Sequence, residues 1–120
     1  MKVKLNEFVK LKDGSIAKII KIDEKDPVYH NQQTYIIDEC VKMSGLCSSL
    51  IYNEDIINHN FNVIELVKLG DIVNGIPIYA IQESNGVKCI KTILDETLYN
   101  DDIKTILTKE QIERRTYYVN

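Results

Sequence analysis

Tryptophan is absent from this chain of 120 residues, and proline, phenylalanine, histidine and methionine occur twice each. With seven tyrosines as the main aromatic supply, isoleucine, valine and leucine must build most of any core. His30 and His59 are the whole imidazole supply for acid–base work. No G-x-x-x-x-G-K, G-x-G-x-x-G, H-E-x-x-H or G-x-S-x-G run occurs, so phosphate cradling, zinc hydrolysis and the commonest serine chemistry lack their local signatures. An enzyme is therefore not expected. Cysteine is scarce and odd in number: Cys40, Cys47 and Cys89 include no C-x-x-C pair and read as reduced thiols. Cys40 and Cys47 taken with His30 and His59 match no zinc spacing, so neither a metal nor a cofactor is expected. No apolar run approaches the roughly 20 residues of a membrane helix. The start, Met1-Lys2-Val3-Lys4-Leu5-Asn6-Glu7, lacks the apolar core of a signal peptide. A cytoplasmic protein with no membrane partner is expected. Neither sign of charge dominates: a formal net charge of -3 lacks the basic footprint of a non-specific nucleic-acid binder and falls short of phosphate-backbone mimicry.

What is present is a globular composition, 44% hydrophobic and 28% charged, outside the range of disordered chains. The apolar residues fall in short β-patterned runs separated by turn signals. Asp13-Gly14 divides residues 8–12 from 15–22, Asn74-Gly75 precedes residues 76–82, and Asn85-Gly86 precedes residues 87–91. Each pair suits a tight hairpin, because the turn requires positive φ at little steric cost. Residues 34–38 read as another short strand, residues 38–49 as a turn-rich stretch of either type, and residues 95–102 as a loop. The end of the chain reads as a repeat of its middle. Leu50-Ile51-Tyr52-Asn53-Glu54-Asp55-Ile56-Ile57 runs on to residues 62–67, and Thr105-Ile106-Leu107-Thr108-Lys109-Glu110-Gln111-Ile112 runs on to residues 116–119. Each copy reads as strand, short helical turn and closing strand. Asn53 is the expected cap of the first turn, and a Thr108/Gln111 capping box opens the second. The expected fold is mainly β: two tandem small Src-homology-3-like barrels over residues 1–67 and 68–120. A single α+β domain is the alternative.

Charge is uneven at finer scale. Lys2, Lys4, Lys10, Lys12, Lys18, Lys21 and Lys25 crowd the first strands, while Asp95, Glu96, Asp101 and Asp102 crowd a later loop. Those carboxylates offer hard oxygens without EF-hand spacing, so they read as solvated. With Tyr99, the same loop is a candidate partner-binding surface, since aromatics anchor interfaces. Arg114-Arg115 followed by Tyr117-Tyr118 is a second candidate. Strand alternation sends one tyrosine inward and leaves the other accessible beside arginine. The candidate partner-binding residues are thus Tyr99, Asp101, Asp102, Arg114, Arg115 and Tyr117.

Residues 8–23 resemble the KOW-type strand–turn–strand of transcription and ribosome-associated barrels, without that motif's additional glycines. The likeness implies nucleic-acid or protein contact there. A wider resemblance rests on three runs: Gly70-Asp71-Ile72-Val73-Asn74-Gly75, Ile103-Lys104-Thr105-Ile106-Leu107-Thr108-Lys109-Glu110-Gln111-Ile112-Glu113, and Tyr117-Tyr118-Val119. Together they resemble small phage and prophage accessory proteins of low-GC Gram-positive bacteria, which carry similar GDYVNG and ILTKEQFE segments. That family has no established catalytic residues to carry over. The resemblance implies a non-enzymatic protein in the cytoplasm of a bacterial host that inhibits or modulates a host or anti-phage defence protein, as anti-CRISPR proteins do. A nucleic-acid-binding barrel and a phage structural or assembly subunit are the alternatives.

Overall fold

The computed structural model describes residues 3–23, 34–38, 50–115 and 119. The chain divides into two units, Met1–Phe61 and Asn62–Asn120, and each contains one five-stranded antiparallel sheet. In the first unit, β1 (Phe8–Leu11), β2 (Ile16–Asp23), β3 (Thr34–Ile37), β4 (Leu50–Tyr52) and β5 (Ile56–Asn60) stand in the order β4-β3-β2-β1-β5. Strand alternation explains its core. Val9, Leu11, Ala17, Ile19, Tyr35, Ile37 and Ile51 share one face and are buried with Val3 and Ile56.

The second unit follows the same plan. β6 (Ile72–Val73), β7 (Ile76–Ser84), β8 (Val87–Thr92), β9 (Thr97–Leu98) and β10 (Ile106–Leu107) take the order β10-β6-β7-β8-β9. In both sheets the unit's fifth strand lies beside its first, then come the second, third and fourth. The second core gathers Ile64, Val67, Val73, Ile78, Ile90 and Leu98, and α1 (Lys109–Arg115) follows β10. The long second strand of each unit is bulged at the same place. β2 shifts register between Ile19 and Lys21, β7 between Ile78 and Ala80. The extra residue, Ile20 or Tyr79, is exposed, as a strand bend at a bulge allows.

Asn74-Gly75 and Asn85-Gly86 hold positive φ at both residues, 53° and 81° in one and 54° and 77° in the other, the type I′ geometry that closes two-residue hairpins. The Thr108 capping box also forms. Thr108 N–H donates to Gln111 Oε1 at 2.9 Å and Gln111 N–H to Thr108 Oγ1 at 3.3 Å, opening α1.

The repeat lies in a different register from the one read in the sequence. Ile51-Tyr52-Asn53-Glu54-Asp55-Ile56 corresponds to Leu98-Tyr99-Asn100-Asp101-Asp102-Ile103, not to residues 105–112. Each run places a 3-10 turn, Asn53–Asp55 or Asn100–Asp102, between the fourth and fifth strands. The turn's last aspartate reaches back to the backbone: Tyr52 N–H donates to Asp55 Oδ2 at 2.8 Å, and Tyr99 N–H to Asp102 Oδ2 at 2.9 Å. Asn53 therefore lies inside its turn and does not cap it, and the expected loop over residues 95–102 contains β9 and a turn. A second matching run opens each unit, Val3-Lys4-Leu5-Asn6-Glu7-Phe8-Val9 and Val67-Lys68-Leu69-Gly70-Asp71-Ile72-Val73.

The expected closing strand over residues 62–67 is instead a 3-10 turn, Val63–Leu66, and β5 closes the first sheet. Val63, Ile64, Leu66 and Val67 are all buried, a pattern without the alternation of a half-buried strand. Ile64 and Val67 pack into the second core, although the join expected from sequence, at residues 67 and 68, groups them with the first unit. Residues 116–118, expected as strand, lie outside the described residues, as do His30, Cys40 and Cys47. No helix among the described residues is long and apolar enough to cross a membrane.

Candidate functional site

Because the two units share one plan, their outer sheet faces compare position by position. In the second unit, Leu107 lies opposite Ile72, Ile72 lies opposite Pro77, and Ile93 N–H donates to Pro77 O at 3.0 Å. Directly opposed residues project from the same face. These four form an apolar row on the side away from Val73 and Ile78, which are buried. Ile72 is half-buried; Pro77, Ile93 and Leu107 are exposed. Tyr79 stands beside the row at the bulge, 55% exposed.

The equivalent row in the first unit is polar at three of its four positions, with Phe8 the exception. Asn60 lies opposite Phe8, Phe8 opposite Lys18, and Asp38 N–H donates to Lys18 O at 2.9 Å. Lys18 Nζ sits 5.7 Å from the Phe8 ring centroid, and Lys18 N–H donates to Asp38 Oδ1 at 2.7 Å. Pro77 has no N–H to give at the Lys18 position, and Ile93 has no carboxylate to receive one. One backbone plan thus supports a hydrogen-bonded polar row and an apolar row. The fold requires neither.

A buried acid stands at the entry to the first strand of each unit. Glu7 Oε2 accepts from Lys4 N–H at 2.5 Å, and Oε1 meets His59 Nδ1 at 2.9 Å, which ties the entry of β1 to β5. Burial pushes the Glu7 carboxyl up, but the Lys4 N–H and the His59 ring together outweigh it and hold the group below its ordinary value. Asp71 accepts from Lys68 N–H at 2.8 Å and from Lys109 N–H at 2.7 Å, which ties the entry of β6 to α1. Burial raises the pKa of the Tyr35 hydroxyl; a hydrogen bond with the Val3 backbone opposes that rise, and the Glu7 charge adds to it. Glu7 thus joins two strands, and Asp71 joins a strand to a helix.

Of the residues expected from sequence to bind a partner, Tyr99, Asp101 and Asp102 share one 3-10 turn. All three are exposed, and Asp102 also holds the turn by accepting the Tyr99 N–H. Arg114 is exposed on α1, and no hydrogen bond or ion pair among the described residues joins it to that turn. Arg115 ends α1 with its side chain outside the described part, and Tyr117 lies outside it altogether. Cys89 is a half-buried free thiol. Among the described residues, no three His, Cys, Asp or Glu side chains gather as a metal ion would need.

No protein-family model, curated protein or solved structure matches the chain. The apolar row escaped the reading of the sequence because its members are scattered from residue 72 to residue 107 and meet only through strand register. The available signal was the Val67–Val73 run: aligning it on Val3–Val9 pairs Ile72 with Phe8 and starts the comparison of the two faces.

Proposed function

We propose that the chain is a non-enzymatic binding protein of two Src-homology-3-like units, which inhibits or modulates a host or anti-phage defence protein through the outer face of its second unit. Three features support the Src-homology-3-like reading: the strand order, the bulged second strand and the 3-10 turn before the fifth strand. A bulge lets one long strand bend from one half of a small barrel into the other.

The apolar row Leu107–Ile72–Pro77–Ile93 carries the binding reading. Contiguous exposed apolar surface commonly marks an interaction site, and Asn60, Lys18 and Asp38 at the positions of Leu107, Pro77 and Ile93 argue against the fold itself as its cause. The resemblance to phage accessory proteins supports the class of partner. The test is phage plating on bacteria carrying different defence systems, with the wild type, a Tyr79→Ser/Ile93→Ser variant and an empty vector. Both substituted positions are exposed, so the variant keeps its core. The wild type is expected to change plating on at least one system, and the variant to match the empty vector. Unchanged plating on every system, with no host protein recovered by affinity purification, sinks the proposal.

A further inference from the structure

The apolar row of the second unit has a cationic margin. Two residues along the chain from Leu107, Ile72 and Pro77 come Lys109, which opens α1, Gly70, in the turn before β6, and Tyr79, at the bulge, with Lys91 opposite Ala80 on β8. Gly70 is what lets Lys109 lie there. Its φ of +102° suits glycine, and a Cβ at that position would come within 2.9 Å of Lys109 Cδ. The lysine stem therefore crosses bare backbone, and among the described residues its exposed ammonium makes only a long contact, 3.9 Å, with the exposed Glu113 carboxylate. Lys91 Nζ donates to Thr97 Oγ1 on the neighbouring strand. Alternation sends Glu83 and Lys88 to the other side of the sheet, where Lys88 pairs with Glu65 at 2.8 Å. Lys91 is left as the one charge among the outward strand positions of this sheet. Asp95 and Glu96 belong to the β8–β9 turn, beyond Ile93 along the chain from Lys91.

Resting on the binding role proposed for this face, we infer that it docks a segment of a partner protein that combines apolar side chains with carboxylates. The apolar side chains lie along the row, and the carboxylates stand over Lys91 and Lys109 beside Tyr79. Charge complementarity decides the occupant. A nucleic-acid backbone would meet an uncharged row at the centre of the face. A second copy presenting the same face would bring no carboxylate from its outward strand positions to these lysines.

The experiment uses the full chain and two fluorescent peptides. One joins leucine and phenylalanine residues to flanking glutamates, and the other has lysine in place of glutamate. The glutamate peptide is expected to bind roughly tenfold more tightly, with the preference fading as salt rises. Lys91→Gln/Lys109→Gln should bring the two peptides to parity, and Tyr79→Ser should weaken the glutamate peptide without moving the thermal midpoint. Equal binding of the two peptides by the wild type overturns the inference, as does a preference that survives Lys91→Gln/Lys109→Gln. A dimer in sedimentation that Tyr79→Ser dissolves overturns it in favour of a second copy. If the peptides bind equally while Tyr79→Ser/Ile93→Ser still abolishes the plating effect, the binding role stands and the acidic chemistry alone falls.

Discussion

Glu7 and Asp71 occupy the same position in the two units, but Glu7 is held by a histidine ring and Asp71 by the backbone N–H of Lys109. Burial works against the Glu7 charge, and the Lys4 N–H and His59 outweigh it, so the folded pKa lies below the unfolded one. The stability it contributes is fully present above the unfolded carboxylate value, about 4.3. It is lost as pH falls through the lower folded value. Glu7→Gln keeps the shape and removes the charge, and is expected to cost about 1–3 kcal/mol at neutral pH. Urea unfolding across pH should show a shallower acid limb in the variant; an acid limb identical to the wild type would remove Glu7 as its source. Gly70 poses a steric question at the same scale. A side chain there must tolerate φ of +102° and displace the Lys109 stem, so Gly70→Ala should lose about 1–2 kcal/mol in thermal melts. Asn6, the equivalent residue, stands at φ 70°, nearer the left-handed region that asparagine tolerates. Gly70→Asn should therefore be milder than Gly70→Ala, and the reverse order would mean that Lys109, not the backbone, sets the cost.

The 3-10 turns between the fourth and fifth strands are the elements that make the two units recognisable as copies. Each depends on an aspartate that accepts the N–H of the tyrosine before the turn. Asp55→Ala and Asp102→Ala should each cost about 1 kcal/mol, the usual loss for a capping carboxylate. A loss at one aspartate and none at the other, in melts of the two variants, would show that the turns are not equivalent. Asp102 thus holds its turn while staying exposed beside Tyr99 and Asp101. The elements legible in the sequence were those with local causes. Asn74-Gly75 and Asn85-Gly86 set their own φ values, and Thr108 with Gln111 builds its own cap. The repeat was misaligned because apolar spacing in residues 50–57 and 105–112 is similar. The true correspondence is carried by Tyr-Asn, an acid, Asp and Ile, whose role shows only once Asp55 and Asp102 are seen bonded to the backbone. The outer row was illegible for a different reason: which residues of β6, β7 and β10 face one another is set by register between distant segments.

At the scale of the whole chain, each buried cluster draws its residues from one unit: Val3 to Ile56 in the first, Ile64 to Leu98 in the second. A unit of about 60 residues hides only about 60% of its chain surface, so each core has little stability to spare. Val73 is fully buried in the second core and Val9 in the first, at equivalent strand positions. Val73→Ala should cost about 2 kcal/mol through lost contacts and the cavity left behind. Hydrogen exchange should then speed up in β6–β10 while β1–β5 keep their protection, and Val9→Ala should do the reverse. Equal acceleration of both sheets in both variants would mean that the units unfold as one cooperative body. The same measurement reads the binding site. A ligand that holds the outer face of the second unit stabilises that unit by mass action, so the glutamate peptide should slow exchange in β6–β10 and oppose the loss caused by Val73→Ala. If the peptide protects β1–β5 instead, the polar row around Phe8 and Lys18 is the docking surface, and the assignment of function to the second unit fails.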